Sequence, residues 1–258
     1  MKVRARVYAP DVQSGDAQCV LGPDESHHLA QVLRIRAGES VQVFDGRGTQ
    51  WLATVATVGR REVVLTINAA IDATPEPPVR VTLAIGLLKG DQMDSVIRDA
   101  TVLGASTVVP LVTDHVTVPT KVWRGGAPLD RWRRVAVAAA KQSGRAVVPI
   151  IEEVTHFDAF MAAGASDAVV ACLEPSAGVR VPPARLGVPH PATVRLLVGP
   201  EGGWSPTELD ALGRVEAAML SLGPRTLRAE AVPIVALTLL WSAWGWTSSA
   251  PDPPSRLR

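Results

Sequence analysis

The sequence predicts two structural parts: a small barrel rich in β-strands, then an α/β unit built on a parallel sheet. Three observations predict this. Residues 1–74 carry alternating or β-branched runs separated by glycine turns. From Val79 onward, short apolar runs alternate with stretches of helical period, the pattern of a parallel sheet covered on both faces. Between them stands Pro75-Glu76-Pro77-Pro78, a short stiff linker, because proline fixes φ and favours extended chain. The expected boundaries are 1–74, 75–78 and 79–247, and the Pro/Ser-rich tail over 248–258 is expected to be disordered.

In the first part, 40–45, 50–57 and 62–67 read as strands, with Gly46-Arg47-Gly48 and Gly59-Arg60-Arg61 as turns. One short helix is expected at about 27–35, capped by Asp24 or Ser26, with Leu29, Val32 and Leu33 as its apolar stripe. In the second part, strands are expected at 81–87, 107–111, 147–151, 168–173, 194–198 and 219–222. Helices are expected at 92–103, 130–142, 157–163, 205–215 and 232–246.

Composition narrows the function classes. The chain has 258 residues, 47% hydrophobic and 20% charged, which suits a soluble globular protein with a substantial core. Cys19 and Cys172 lie far apart with no CxxC pattern, so neither a disulfide scaffold nor a zinc site is expected. His27-His28 has no further histidine or cysteine at ligand spacing, so no metal is expected. Residues 1–9 lack the apolar core of a signal peptide. The apolar stretch 232–246 is shorter than the ~20 residues of a spanning helix. A cytoplasmic protein with no membrane attachment is the expectation. No serine–histidine–acid arrangement, P-loop lysine or HExxH is present. The net charge is only +1, yet residues 121–145 hold seven basic residues and one acidic. Such a block is either a strip for phosphates or a solvated helix face.

Two stretches carry the chemistry. The first is Leu196-Leu197-Val198-Gly199-Pro200-Glu201-Gly202-Gly203-Trp204-Ser205; the second is Leu220-Ser221-Leu222-Gly223-Pro224-Arg225-Thr226-Leu227-Arg228-Ala229-Glu230. Each is an apolar run that breaks into glycine and proline and then enters a helical pattern. They read as buried strands with loops at their carboxyl ends, where open α/β sheets bind ligands. Glycines there let a ligand approach bare backbone. Ser205-Pro206-Thr207-Glu208 is a capping box with proline in the first helical turn. Part of the first stretch is therefore structural, but the cap does not account for Glu201 between flexible positions.

These stretches stand in order with Arg6-Val7-Tyr8, His27-His28-Leu29-Ala30-Gln31-Val32-Leu33-Arg34, Val43-Phe44-Asp45-Gly46, Lys89-Gly90-Asp91-Gln92-Met93 and Gln142-Ser143-Gly144-Arg145. The ordered set resembles the SPOUT superfamily of methyltransferases, and within it the bacterial 16S ribosomal RNA (uracil-N3)-methyltransferase family. It covers nearly the whole chain. The resemblance implies a PUA-like RNA-binding barrel followed by a SPOUT-type parallel sheet with a trefoil knot at the carboxyl end. It implies S-adenosyl-L-methionine as cofactor, 16S ribosomal RNA of the small ribosomal subunit as substrate, and a homodimer. The cofactor would lie against Leu173, Leu197, Gly199, Pro200, Gly202, Gly203, Leu222, Gly223 and Leu227. Glu201 and Arg228 would be catalytic, and Arg6, Arg34, Arg133, Arg134 and Arg225 would face RNA. The implied reaction is attack of a uracil N3 on the sulfonium methyl group. Two rivals stand beside it: a drifted relative that binds RNA or cofactor without methylating, and an enzyme of the same superfamily with another RNA target. The chain departs from the family at Ala229 and Ala231, where threonines are usual, and across Arg98–Gly104.

The last expected helix, 232–246, is apolar almost all round. Such a helix must be buried on more than one side, and a second subunit is the simplest cover.

Overall fold

The computed structural model describes residues 3–60, 62–123, 126–164, 169–174, 186 and 190–248. The tail expected over 248–258 lies outside them from 249 on. Two units emerge: 1–76 together with 140–148, and 77–139 together with 149–250.

The first unit holds β1 (Val3–Tyr8), β2 (Gln18–Val20), α1 (Pro23–His27), β3 (Ser40–Phe44), β4 (Gln50–Val58) and β5 (Val63–Ile71). Its strands form one sheet in the order β1-β3-β4-β5-β2, parallel between β1 and β3 and antiparallel elsewhere. Alternation drives Val41, Val43, Trp51, Ala53, Val55, Val63 and Leu65 into one core with Val7 and Leu29. The strands at 40–45, 50–57 and 62–67 are present, β5 running on to Ile71. The two end strands carry a weaker pattern: β2 has three residues, and arginines interrupt β1.

The expected helix is displaced and changed in kind. It starts at Pro23 with Gly22 as N-cap, and Asp24 and Glu25 occupy its first turn, where carboxylates suit the helix dipole. Ser26 does not cap it. Its buried hydroxyl donates to the Leu21 carbonyl at 3.0 Å and accepts from Val63 N–H at 3.1 Å. Residues His28–Val32 form a π-helix. The wider turn shifts the phase, so Leu29 is fully buried while Val32 is 61% exposed. Of the apolar stripe read at helical spacing, Leu29 and Leu33 meet the core and Val32 does not.

Residues 140–148 complete this unit. Phe44 packs on Ala140 and Ala146. Lys141 pairs with Glu25 at 2.7 Å, and Arg145 grips Glu76 at 2.6 and 3.0 Å.

The second unit runs β6 (Arg80–Gly86), α2 (Gln92–Val102), β7 (Thr107–Val112), α3 (Thr120–Trp123), α4 (Ala127–Ser143, its last residues counted with the first unit), β8 (Ile150–Ile151), β9 (Thr155–His156), α5 (Phe157–Ala162), β10 (Val169–Leu173), β11 (Thr193–Val198), α6 (Pro206–Arg214), β12 (Ala218–Leu220) and α7 (Val232–Ala243). The sheet is parallel throughout, in the order β12-β10-β11-β6-β7-β8, with β9 also on β7. The strand expected at 147–151 is reduced, because Val147 bridges Gly46 in the first unit and only Ile150–Ile151 joins β7.

The central strands are apolar on both faces, as a doubly covered parallel sheet demands. One face packs Ala84, Leu111, Cys172 and Leu197 against Phe157, Phe160, Trp204 and Leu212. Leu83, Ile85, Val108 and Leu196 are fully buried as well. At the end of the chain Trp241 donates its indole N–H to the Leu103 carbonyl at 2.6 Å and stacks near Trp244 and Trp246, with centroids 5.5 and 5.9 Å away.

One consequence positions the site. Because β12, β10, β11 and β6 are parallel neighbours, Ser221, Glu174, Gly199 and Leu87 all leave the sheet at the same edge.

Candidate active site

The loop from Gly199 to Ser205 joins β11 to α6 and is fastened from several sides. Trp204 is its floor: the ring is buried against Phe157, centroids 5.6 Å apart, and its N–H donates to the Leu173 carbonyl at 3.3 Å. A Cβ at Gly199 would stand 3.3 Å from that indole, and a Cβ at Gly86 would stand 2.7 Å from the Pro200 nitrogen. Gly203 adopts φ +71°, a region open mainly to glycine. Ser205 caps α6, accepting from Glu208 N–H at 3.2 Å while the Glu208 carboxylate accepts from Ser205 N–H at 2.8 Å. The same Glu208 accepts from Asp114 N–H at 3.0 Å, and the Ser205 hydroxyl donates to the Asp114 carboxylate at 2.5 Å. His115, next along, meets the Gly202 carbonyl with its Nδ1 at 2.9 Å.

The loop from Ser221 to Ala231 faces it. Gly223 turns at φ +112°. Ser221 Oγ accepts from Gly223 N–H at 3.4 Å. Between the two loops lies a crevice lined by Leu173, Val198, Gly199, Pro200, Glu201, Gly203, Leu222, Gly223, Arg225, Thr226, Leu227 and Ala229, among others. It is mostly backbone and apolar side chain, with Glu201 and Arg225 exposed at its rim.

The sequence reading meets this crevice at most of its expected cofactor positions. Leu173, Gly199, Pro200, Gly203, Leu222, Gly223 and Leu227 line it. Leu197 does not. It is fully buried on the opposite face of β11, because strand side chains alternate, and Val198 takes the crevice side. Gly202 is outside it too, set against His115, where a Cβ would be 2.8 Å from the His115 Cβ. Arg228 lies off the crevice lining, with its side chain 88% exposed and its Nη1 3.9 Å from Glu230.

The expected RNA-facing arginines divide. Arg6 is turned into its own unit. Its Nη1 donates to the carbonyls of Ala140 at 2.9 Å and Arg145 at 3.0 Å, and its Nη2 donates to the Gln50 side chain at 3.0 Å. The guanidinium lies 4.1 Å over the Phe44 ring, and burial pulls its pKa down to about 10. Arg6 is therefore an internal tie rather than a phosphate contact. Arg34, Arg133 and Arg134 are exposed, Arg34 with φ +50° and Arg133 only 3.9 Å from Asp130. Arg225 belongs to the crevice itself.

Some lining residues escaped the sequence reading. Glu174 is one: it is buried, lines the crevice and directly follows β10. The available signal was a carboxylate one residue past an apolar strand and directly before Pro175. Ser221, Thr226 and Val232 also line it. Cys172 sits close by in sequence but has no chemical part. Burial pushes its thiol far up, the nearby Glu174 and Glu208 charges add to this, and a Trp204 contact only partly opposes them.

Comparison with known proteins agrees with this geometry. An RNA methyltransferase domain family matches residues 75–241, and an RNA methyltransferase PUA domain family matches residues 21–68. The ribosomal RNA small subunit methyltransferase E of Synechocystis is 33% identical over 239 residues, covering 90% of this chain and 75% of the relative. That of Mycobacterium bovis is 32% identical over 94% of both chains. Among solved structures, a putative methyltransferase from Legionella pneumophila, determined with bound S-adenosylmethionine, superposes with a TM-score of 0.85 at 28% identity, covering 94% of this chain and 98% of the other. The ribosomal RNA small subunit methyltransferase E of Neisseria gonorrhoeae, bound to the same cofactor, gives 0.84 at 25% identity, covering 93% and 98%. A crevice walled by glycine loops at the shared edge of β10, β11 and β12 thus occurs in a chain that, by its domain families and its relatives, belongs to the ribosomal RNA small subunit methyltransferase E family.

Proposed function

We propose that this chain transfers the methyl group of S-adenosyl-L-methionine to the N3 of a uracil in 16S ribosomal RNA of the small subunit. The observation that carries the reading is the crevice. Its walls are two glycine-bearing loops with apolar side chains between them, two of its glycines take φ values closed to most residues, and one exposed carboxylate and one exposed guanidinium share its rim. The fit to the cofactor rests on the same features, since the Leu222–Leu227 backbone offers hydrogen-bonding groups to an adenosine and the apolar floor accepts its ring.

When bound, the cofactor supplies an electrophilic methyl group. The rest falls to the protein. Glu201 orients the uracil or accepts its N3 proton. The charge left on the base spreads over its oxygens, where hydrogen bonds from Arg225, or from Arg228 after a shift of its loop, stabilise the transition state. The fastened loop 199–205 holds methyl and nitrogen in line. A base buried in a duplex would first have to be unstacked, so an exposed nucleotide is the expected target. Arg34, Arg133 and Arg134 contribute phosphate contacts.

The trefoil knot and the homodimer belong to the same proposal. Pro233, Ala236, Leu237, Leu240 and Trp241 of α7 are buried, whereas Ile234 and Leu239 are 38% and 40% exposed. They flank Thr238 and Ser242 on the outward side of α7, the face a second subunit would cover. Trp244 is only 9% exposed and already packed on Trp241, so Ile234→Glu is the cleaner test. Sedimentation is expected to show a dimer that this substitution splits; a stable, active monomer before substitution overturns the dimer. No helix among the described residues is long and apolar enough to cross a membrane, and a cytoplasmic site of action is the one a ribosomal RNA substrate supports.

The test of the reaction is methyl transfer to purified small subunits, followed by nucleoside analysis of the RNA. N3-methyluridine is expected. Cofactor binding without transfer would favour the drifted, non-catalytic relative, and a different methylated nucleoside would favour another target.

A further inference from the structure

A second cavity opens at the same edge of the parallel sheet. It has a volume of about 380 Å³, within the range of small-molecule sites. Leu87 and Leu88, just past β6, form one wall, Trp123 of α3 another, and Arg131 and Trp132 of α4 a third. Its lining shares no residue with the cofactor crevice. The two are nevertheless neighbours, because Gly86, one residue before Leu87, packs directly on Pro200 of the crevice.

We infer that this cavity holds an unpaired nucleobase of the substrate RNA flanking the target nucleotide. The inference rests on the methyl-transfer reading above. Three observations on the cavity favour a base over other occupants. Two indoles, Trp123 and Trp132, line it, and stacking on aromatic side chains is how proteins hold unpaired bases of any sequence. Arg131 adds a planar guanidinium, and Asp94 fixes it by accepting from its Nε at 2.7 Å. The surroundings carry positive charge for the adjoining phosphates: exposed Lys89 lies between lining residues Leu88 and Gly90, and exposed Arg133 and Arg134 follow on α4, against exposed Asp91 and Asp130. A lipid chain would not call for that charge, and an extended peptide would not call for two indoles in one small cavity. The shared edge with the methyl-donor site, where Gly86 packs on Pro200, favours the nucleotides next to the target.

The test uses two substitutions on the whole chain. Trp123→Ala removes a stacking face, and Val122→Trp, at a lining residue that is 53% exposed, fills the cavity without taking anything away. Loss of a base stack is worth about 1–3 kcal/mol, so each variant is expected to weaken binding of small-subunit RNA about 5- to 150-fold in filter binding and to raise KM by the same factor. Affinity for S-adenosylmethionine, measured by calorimetry, is expected to stay unchanged. Trp123→Phe is expected to restore most of the RNA affinity. Unchanged RNA affinity in Val122→Trp overturns the proposal, and so does loss of cofactor binding in Trp123→Ala together with wild-type RNA affinity in Val122→Trp. Absence of methyl transfer by the unsubstituted chain would sink the proposed reaction instead, and the ratio of RNA affinities would still decide the cavity.

Discussion

The crevice between the glycine loops and the tryptophan cavity beside it lie at one edge of one sheet, yet they are made in opposite ways. The crevice is shaped by its glycine backbone. Gly203 and Gly223 turn at positive φ, and Gly86 and Gly199 leave room that a Cβ would fill. The cavity is made of side chains, with leucine, methionine and two tryptophans projecting from α2, α3, α4 and the turn after β6. A backbone cradle dictates residue types one by one, because only glycine satisfies its geometry. A side-chain cavity dictates only size and flatness, which many apolar residues satisfy. The first therefore leaves a motif in the sequence and the second leaves none.

The comparison makes its strongest claim at Glu201. Of the two carboxylates that line the crevice, Glu174 is buried and Glu201 is exposed at the rim, so Glu201 is the one a substrate base can reach. Glu201→Ala is expected to lower turnover by roughly 10²–10⁴, the range of a positioned acid–base group, with cofactor affinity largely kept. Single-turnover methylation beside calorimetry separates the two quantities, and unchanged turnover would remove Glu201 from the mechanism.

Gly86 tests the backbone cradle itself. An added Cβ would meet the Pro200 nitrogen at 2.7 Å, and overpacking of this kind costs about 1–3 kcal/mol. If the loop carries the strain, Gly86→Ala lowers cofactor affinity about 5- to 150-fold. Gly90, at the rim of the tryptophan cavity, is the control. It has φ +61° but nothing within 4 Å of an added Cβ, so Gly90→Ala strains its own turn and is expected to leave cofactor affinity alone. Equal effects at the two glycines would erase the distinction between the sites.

The same contrast explains what the sequence disclosed. The parallel sheet, most of its strands and the Ser205–Glu208 cap were legible, since each rests on periodicity or on a four-residue spacing. The brace on that cap was not, because Asp114 and His115 reach the loop from about 90 positions away in the chain. Leu197 and Val198 are alike in type, and only strand phase decides which faces the crevice. Arg6 matched a family position, but its destination on the Ala140 and Arg145 carbonyls is a tertiary fact. The π-turn at His28–Val32 leaves Leu29 and Leu33 on the core but turns Val32 out of the stripe drawn at helical spacing. On α7 the apolar pattern does not tell which residues pack within the chain: Pro233, Ala236, Leu237, Leu240 and Trp241 are buried, whereas Ile234 and Leu239 face outward.

The smallest effect is expected where this chain departs from its family. Ala229 lines the crevice at 8% exposure, three residues before α7 begins. A threonine there would add a hydroxyl at the wall facing the cofactor and a methyl group at a position that is nearly closed. A single neutral hydrogen bond contributes about 0.5–1.5 kcal/mol net, so Ala229→Thr is expected to leave cofactor affinity equal or to improve it by up to about tenfold. Crowding works against the gain, since the side chain is β-branched and must hold one rotamer beside Val232. RNA affinity should not move, because Ala229 has no part in the tryptophan cavity. Calorimetry with S-adenosylmethionine reads the first quantity and filter binding the second. A large loss of cofactor affinity would mean that the second loop does not floor the cofactor site. A change in RNA affinity alone would mean that this wall faces the substrate, and that the division between a backbone-built cofactor site and a side-chain-built base site has been drawn in the wrong place.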